Sequence, residues 1–200
     1  MTEGMYYEAR PQTPSKPVVF HLKWKDTRFT FTTDAGVFSK GELDPGTRLL
    51  LTALPLPLQG SLLDLGCGWG PVGVIAGKLS PGASITMCDI NERAVALAKQ
   101  NLLANGVKAE VFCTDGTKGL QNSYSVIALN PPIRSGKETV YRLFREAKDS
   151  LEKGGALYIV MRKQQGAPSA KKYLQTLFDS VETVARKGGY HVFCCKGENQ

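Results

Sequence analysis

The stretch Ser61-Leu62-Leu63-Asp64-Leu65-Gly66-Cys67-Gly68-Trp69-Gly70-Pro71 decides the fold. A short apolar run ends beside an acid, three alternating glycines follow, and a proline opens a helical pattern that continues to Leu79. An apolar run of this length, closed by glycine and followed by a helix, reads as a buried strand of a βαβ unit. Glycine tolerates a positive φ and lets the backbone approach a ligand closely. Proline suits the first helical turn, where its missing N–H would have no partner in any case. A nucleoside cofactor fits such a turn, although dinucleotide sites use a related one with a pyrophosphate at the helix N-terminus.

Working outward, the alternation of apolar run and helical pattern repeats. Strands are predicted at 61–65, 84–90, 109–113, 125–129 and 156–161. Helices are predicted at 71–79, at 92–104 with Asn105-Gly106 as its stop, at 137–151 with Gly154-Gly155 as its stop, and at 169–178. Two last strands, 181–186 and 190–195, are joined by Lys187-Gly188-Gly189, short enough for an antiparallel hairpin. The expectation is an α/β fold with a seven-stranded, mostly parallel sheet and an antiparallel C-terminal strand. Upstream, 18–24 and 28–33 alternate apolar and polar residues around Lys25-Asp26, which predicts a β-hairpin. Asp44-Pro45 is an N-cap and first-turn pair for a helix through Leu51, stopped by Pro55 and Pro57. Residues 18–200 are expected to form one domain, with 18–60 as hairpin and helix and 61–200 as the cofactor-binding core. Residues 1–17 read as a loose, flexible arm.

Composition narrows the function classes. Two hundred residues with 42% hydrophobic content suffice for one ordinary domain. No run approaches the roughly 18 apolar residues of a membrane span, and the first residues lack the apolar core of a secretory signal, so a cytoplasmic protein is expected. The five cysteines form no C-x-x-C pair, and His21 and His191 are the only histidines, so no metal site is expected. A net charge of +7 fits a polyanionic partner, because cations that neutralise phosphates release counterions.

The candidate chemistry sits at strand ends. Asp64 puts a carboxylate beside the glycines, where it suits the cationic amino-acid end of S-adenosylmethionine (SAM) and suits a pyrophosphate poorly. Asp89, about 19 residues after Gly70, can accept hydrogen bonds from ribose hydroxyls. Asp115, before Gly116, can accept the exocyclic amine of adenine or serve only as a turn residue. Asn130-Pro131-Pro132 follows the fourth strand of the core and reads as the catalytic turn. The Asn130 side-chain oxygen and the Pro131 carbonyl can accept both N–H bonds of a planar amine, aiming its lone pair at the SAM methyl. Asp64, Gly66, Gly68, Asp89, Ile90, Asp115, Gly116 and Asn130 are the expected cofactor contacts. Arg134 and Lys137 follow the NPP turn, and Arg162, Lys163, Lys171 and Lys172 bracket the loop after the fifth core strand; these cations could grip phosphates.

The segments FTTDAGVFSKGELDPGTRLLL (31–51), LLDLGCGWGPVG (62–73), NPPIRSGK (130–137) and RKQQGAPSA (162–170) together resemble the single-domain bacterial members of the ribosomal small-subunit guanine-N2 methyltransferase family, the RsmC type. The resemblance implies a Rossmann-like class I methyltransferase fold, SAM as cofactor, and methyl transfer to the 2-amino group of a guanine in 16S ribosomal RNA. It implies ribosomal RNA or the small ribosomal subunit as partner, with Phe38, Ile133, Arg134, Lys137 and Lys163 as substrate contacts. It also places Phe38 against the methionine end of SAM and the incoming base. Ile133 departs from the family, standing where an aromatic residue commonly follows NPP and stacks on the base. Adenine N6, a protein glutamine amide, or a non-catalytic SAM-binding RNA-interaction module are the alternatives.

Overall fold

The computed structural model describes residues 9–10, 12–120 and 123–197. A hairpin of β1 (Val18–Trp24) and β2 (Thr27–Thr33) precedes α1 (Pro45–Ala53). The core then runs β3 (Ser61–Leu65), α2 (Pro71–Leu79), β4 (Ser84–Asp89), α3 (Glu92–Asn105), β5 (Glu110–Cys113), β6 (Tyr124–Leu129), α4 (Lys137–Asp149), β7 (Leu151–Arg162), α5 (Ala167–Leu174), β8 (Ser180–Lys187) and β9 (Tyr190–Lys196). Seven strands form one sheet in the order β5-β4-β3-β6-β7-β9-β8. Pairing is parallel from β5 to β7, and β9 runs antiparallel to both of its neighbours. The expected seven-stranded layout is therefore observed. Strand order reverses between β3 and β6, which opens a crevice at the carboxyl ends of the parallel strands, where ligands bind in sheets of this kind.

Alternation along each strand divides the core. Leu62 points into one apolar cluster with Leu50, Ile75 and Ala98 from α1, α2 and α3. Leu63 and Leu65 point into the other, against Phe144 and Ala170 from α4 and α5. Helix α4 shows why it lies there: Val140, Leu143, Phe144 and Ala147 form one buried stripe at helical spacing.

The larger departures from the sequence reading fall at α4, β7 and α5. Helix α4 stops at Asp149, and β7 begins at Leu151 rather than 156. Gly154-Gly155, read as a helix stop, lies inside that strand. Gly154 has φ 79°, and a Cβ on Gly155 would sit 2.8 Å from the Tyr124 carbonyl, beside an irregularity in the β6–β7 pairing. Helix α5 spans Ala167–Leu174 rather than 169–178, because Gly166 at φ 93° starts it and Pro168 occupies its first turn. Short 3-10 turns at Ile133–Ser135 and Lys163–Gln165 were not expected.

Helix α3 holds the hairpin through two side-chain amides one turn apart. The fully buried Asn101 accepts from the Thr32 N–H at 2.7 Å and donates to the Thr32 carbonyl at 2.9 Å. Asn105 repeats the pair on Thr30, at 3.0 and 2.8 Å. Asn101 also donates to the Trp69 carbonyl at 2.7 Å, so one side chain ties hairpin, helix and glycine loop together.

Where a loose arm is expected, the described residues are hydrogen-bonded. The Glu92 N–H donates to the Ala9 carbonyl, Arg93 donates to the Thr13 carbonyl at 2.9 Å, and Ser15 donates to Asp34 at 2.6 Å. Residues 1–8 and 11 of that arm lie outside the described residues.

Candidate active site

The glycine loop leaves β3 by turning its N–H groups onto the neighbouring strand. Gly66 and Cys67 both donate to the Cys88 carbonyl at 2.9 Å, and Gly68 donates to the Asp89 carboxylate at 2.8 Å. Gly66 and Gly68 have φ 72° and 56°, and a Cβ on either would meet no protein atom within 4 Å. Both face a cavity of about 870 Å³ along the carboxyl edge of the sheet. Gly70 and Gly73 serve packing instead: a Cβ there would meet Met87 at 2.7 and 2.6 Å.

Asp64, 4% exposed, accepts from the Gly73 N–H at 2.9 Å, in the first turn of α2. Burial pushes its carboxyl up to about 7; the Gly73 N–H opposes the rise and the nearby Asp89 charge adds to it. Burial also raises Asp89, against hydrogen bonds from the Asn91, Gly68 and Ile90 N–H groups. Gly68 donates to one Asp89 oxygen and Asn91 to the other, and the carboxylate, with about four acceptor sites, keeps room for a further donor. The residues present fit SAM on these grounds: bare glycine backbone faces the cavity, two acids, Asp64 and Asp89, line it beside the glycine loop, and Ile90 and Leu143 add apolar wall.

Asn130 ends β6 at the same edge. Its amide nitrogen donates to the Thr47 hydroxyl at 3.0 Å and to the Asp44 carboxylate at 3.3 Å. Its side-chain oxygen has no hydrogen-bond partner among the described residues. Pro131, Pro132, Ile133 and Arg134 continue along the cavity wall. Phe38, 37% exposed, lines the opposite side, and its carbonyl accepts from the Trp69 indole N–H at 3.0 Å. That bond seats the segment around Phe38 on the glycine loop.

The cavity gathers Phe38, Asp64, Gly66, Gly68, Asp89, Ile90, Asp115, Gly116, Asn130, Pro131, Pro132, Ile133 and Arg134. Lys137 and Lys163 stand outside its wall. The Lys137 ammonium lies 5.1 Å from the centre of the Tyr141 ring, and Lys163 is exposed on its 3-10 turn. Asp115 carries a partner that the sequence did not disclose: Arg142 at 2.6 Å, which also pairs with Glu146 one turn on. An adenine amine at Asp115 would share that carboxylate with a guanidinium.

Asp44, Thr47 and Tyr190 line the wall and were not among the expected site residues. Asp44 was read only as a helix N-cap; its reach to Asn130, 86 residues away, left no local trace. Tyr190 lines the cavity with Arg162 5.5 Å above its ring. Its signal was available, because an antiparallel last strand brings its own first residue to the carboxyl edge of the parallel ones. Of the cysteines, Cys67, Cys88, Cys194 and Cys195 are buried and Cys113 is exposed, all unpaired. Among the described residues, no group of three or more His, Cys, Asp or Glu could hold a metal ion, and no helix is long and apolar enough to cross a membrane.

Comparison with known proteins bears on this geometry. The Bacillus subtilis protein YbxB is 38% identical over 195 residues, 96% of this chain and 97% of its own. Ribosomal RNA small subunit methyltransferase C of Aeromonas hydrophila is 36% identical over 178 residues, 86% of this chain and 50% of that protein. The chain thus spans about half the length of that relative. The T. thermophilus 16S rRNA N2 G1207 methyltransferase (RsmC), solved with AdoMet and guanosine, matches 92% of this chain and 52% of its own at a TM-score of 0.82 and 25% identity. The seven-stranded layout is accordingly the class I methyltransferase fold. Residues 28–194 match the model described as methyltransferase small domain, and with that span the chain belongs to the methyltransferase small domain family.

Proposed function

We propose that this chain transfers a methyl group from SAM to the 2-amino group of a guanine in 16S ribosomal RNA, in the cytoplasm where small subunits are assembled. The observation that carries the reading is the match, over 92% of this chain, to an RsmC enzyme solved with AdoMet and guanosine. SAM supplies an electrophilic methyl on a sulfonium. Asp64 faces the cationic amino-acid end, directly or through water, Asp89 accepts from the ribose hydroxyls, and the open faces of Gly66 and Gly68 admit the cofactor close to the backbone. The Asn130 side-chain oxygen and the Pro131 carbonyl accept the two N–H bonds of the target amine. That grip draws the nitrogen toward a tetrahedral shape with its lone pair on the methyl, so the help is orientation and polar preorganisation. No strong base is needed, since the amine becomes acidic as the methyl transfers.

The 2-amino group of a paired guanine cannot reach a recessed methyl, so the substrate is an unpaired or flipped base. Phe38 and Tyr190 bring aromatic rings to the cavity where Ile133 brings none. Arg134 at the rim, with Lys137 and Lys163 beyond it, offers charge to the phosphates on either side. Mass mapping of ribosomal RNA nucleosides from a strain lacking the gene tests the reading. Loss of one N2-methylguanosine, restored by the wild-type gene and not by Asn130→Ala, is expected. A full complement of N2-methylguanosine would overturn it, and loss of an N6-methyladenosine instead would reassign the acceptor.

A further inference from the structure

We infer that Asp44 and Thr47 are positioning residues that fix the Asn130 side chain with its oxygen toward the target amine; the inference rests on the reading of Asn130 as amine acceptor. Asp44 and Thr47 sit at the start of α1, and Asn130 ends β6. As an N-cap, Asp44 needs only the bond its carboxylate accepts from the Thr47 N–H at 2.8 Å. The same carboxylate oxygen also takes the Thr47 hydroxyl at 3.2 Å and the Asn130 amide nitrogen at 3.3 Å. These bonds have a fixed direction. A carboxylate only accepts, and a hydroxyl has one proton. With that proton on Asp44, Thr47 turns a lone pair to Asn130 and accepts from it at 3.0 Å. Both groups facing Asn130 are therefore acceptors. A flipped amide would set its oxygen against the Asp44 carboxylate, and Thr47 could donate to that oxygen only by giving up its own bond to Asp44, so the side-chain oxygen is held away from Asp44 and Thr47.

The room for this arrangement is built in. Thr47 is buried, and a Cβ on Gly46 would lie 2.9 Å from both the Asp44 carboxylate and the Tyr190 ring. A socket lined with acceptors demands an amide at position 130, since an aspartate there would face the Asp44 charge.

Single-turnover and steady-state kinetics on a small-subunit ribosomal RNA substrate test this, alongside SAM binding and thermal melting. Thr47→Val is expected to lower kcat by about tenfold or more, with KM and the SAM Kd within about threefold. Asn130→Asp is expected to lower kcat by about a hundredfold or more. A readout independent of activity is the Asn130 side-chain NH2 signal in a 15N spectrum, assigned by its loss in Asn130→Ala. It is expected to be protected from water exchange in the wild type and to lose that protection in Thr47→Val. Unchanged kcat or unchanged amide protection in Thr47→Val overturns the inference. Loss of turnover in Asn130→Ala together with a fully active Thr47→Val removes the inference and leaves the functional reading standing. Wild-type turnover in Asn130→Ala removes both.

Discussion

Replacing Asn101 with alanine removes three hydrogen bonds at once, all to main-chain groups: the Thr32 N–H, the Thr32 carbonyl and the Trp69 carbonyl. The side chain is fully buried, so water does not reach those groups unless the packing opens. A buried donor or acceptor stripped of its partner costs about 1–3 kcal/mol. Each carbonyl keeps a second lone pair and can bond elsewhere, so the lower bound applies, about 3 kcal/mol for the three. Alanine returns roughly half a kcal/mol as the better helix former, which leaves the sign unchanged. For a domain of this size, about 2–4 °C is lost per kcal/mol, so the melting temperature should fall by roughly 5–10 °C. Calorimetry on the cofactor-free protein measures this directly. Asn101→Asp keeps an acceptor for the Thr32 N–H but points a carboxylate at two carbonyls, and should lose at least as much. Lys99→Ala, exposed on the same helix, is the control and should stay within about 0.5 kcal/mol. An Asn101→Ala melt within about 2 °C of the wild type would refute the claim that this amide holds the hairpin.

Asp89→Ala should weaken SAM binding by about tenfold or more in a calorimetric titration, because it removes both the ribose acceptor and the bonds that shape the Gly68 and Asn91 backbone. An unchanged Kd would take Asp89 out of the site. With Asp64 pushed up to about 7 by burial, the cofactor-free cleft is mainly protonated at pH 6, and a cationic ligand favours the ionised form. SAM affinity should therefore rise between about pH 6 and 8, and Asp64→Asn should flatten that profile. Stability moves the other way. The folded state binds more protons than the unfolded chain between the ordinary carboxylate range and about 7, so the Asp64 contribution favours folding at the acid end and is lost as pH rises through that window. A pH titration of melting temperature with and without Asp64→Asn separates the two effects, and identical slopes would exclude Asp64 as their source. Gly73→Ala drives a Cβ to 2.6 Å from the fully buried Met87 sulfur and should cost about 1–3 kcal/mol by thermal melting; an unchanged melt would show that Met87 yields without strain.

What could be read from the chain follows the range of the forces involved. The β3 strand, the glycine turn and Pro71 are written locally: an apolar run, residues that tolerate positive φ, and a ring that fits the first helical turn. Asp44-Pro45 was legible as a helix start for the same reason. The start of β7 was not, because Gly154-Gly155 carries the local mark of a helix stop. Its presence in the strand depends on how closely the Tyr124 backbone approaches it, which is a property of the folded sheet. The Asn130 tether to α1, the Arg142 partner of Asp115 and the amide pairs of Asn101 and Asn105 join residues from 27 to 86 positions apart. Each is one polar side chain on a helix or strand end, and nothing in its neighbours in sequence distinguishes it from a solvated one. The expected positions at the ends of β3, β4, β5 and β6 meet at one cavity because strand order places those ends side by side, a fact of topology that the alternation of strand and helix already implied, whereas Lys137 and Lys163 stay outside it.

The paired amides of Asn101 and Asn105 also have a bearing on how copies of this chain can meet. A two-stranded hairpin outside the main sheet exposes two rows of main-chain donors and acceptors, and either row can recruit a foreign strand. Here Thr30 and Thr32 spend their outward N–H and carbonyl groups on helix side chains, so β2 has nothing left to offer at those positions. Among the described residues, no strand pairs with the outer side of β1, where Val18 and Val19 are exposed. Strand-to-strand adhesion through this hairpin is thereby confined to one side, and a charge placed at Val19 is the smallest change that would close it.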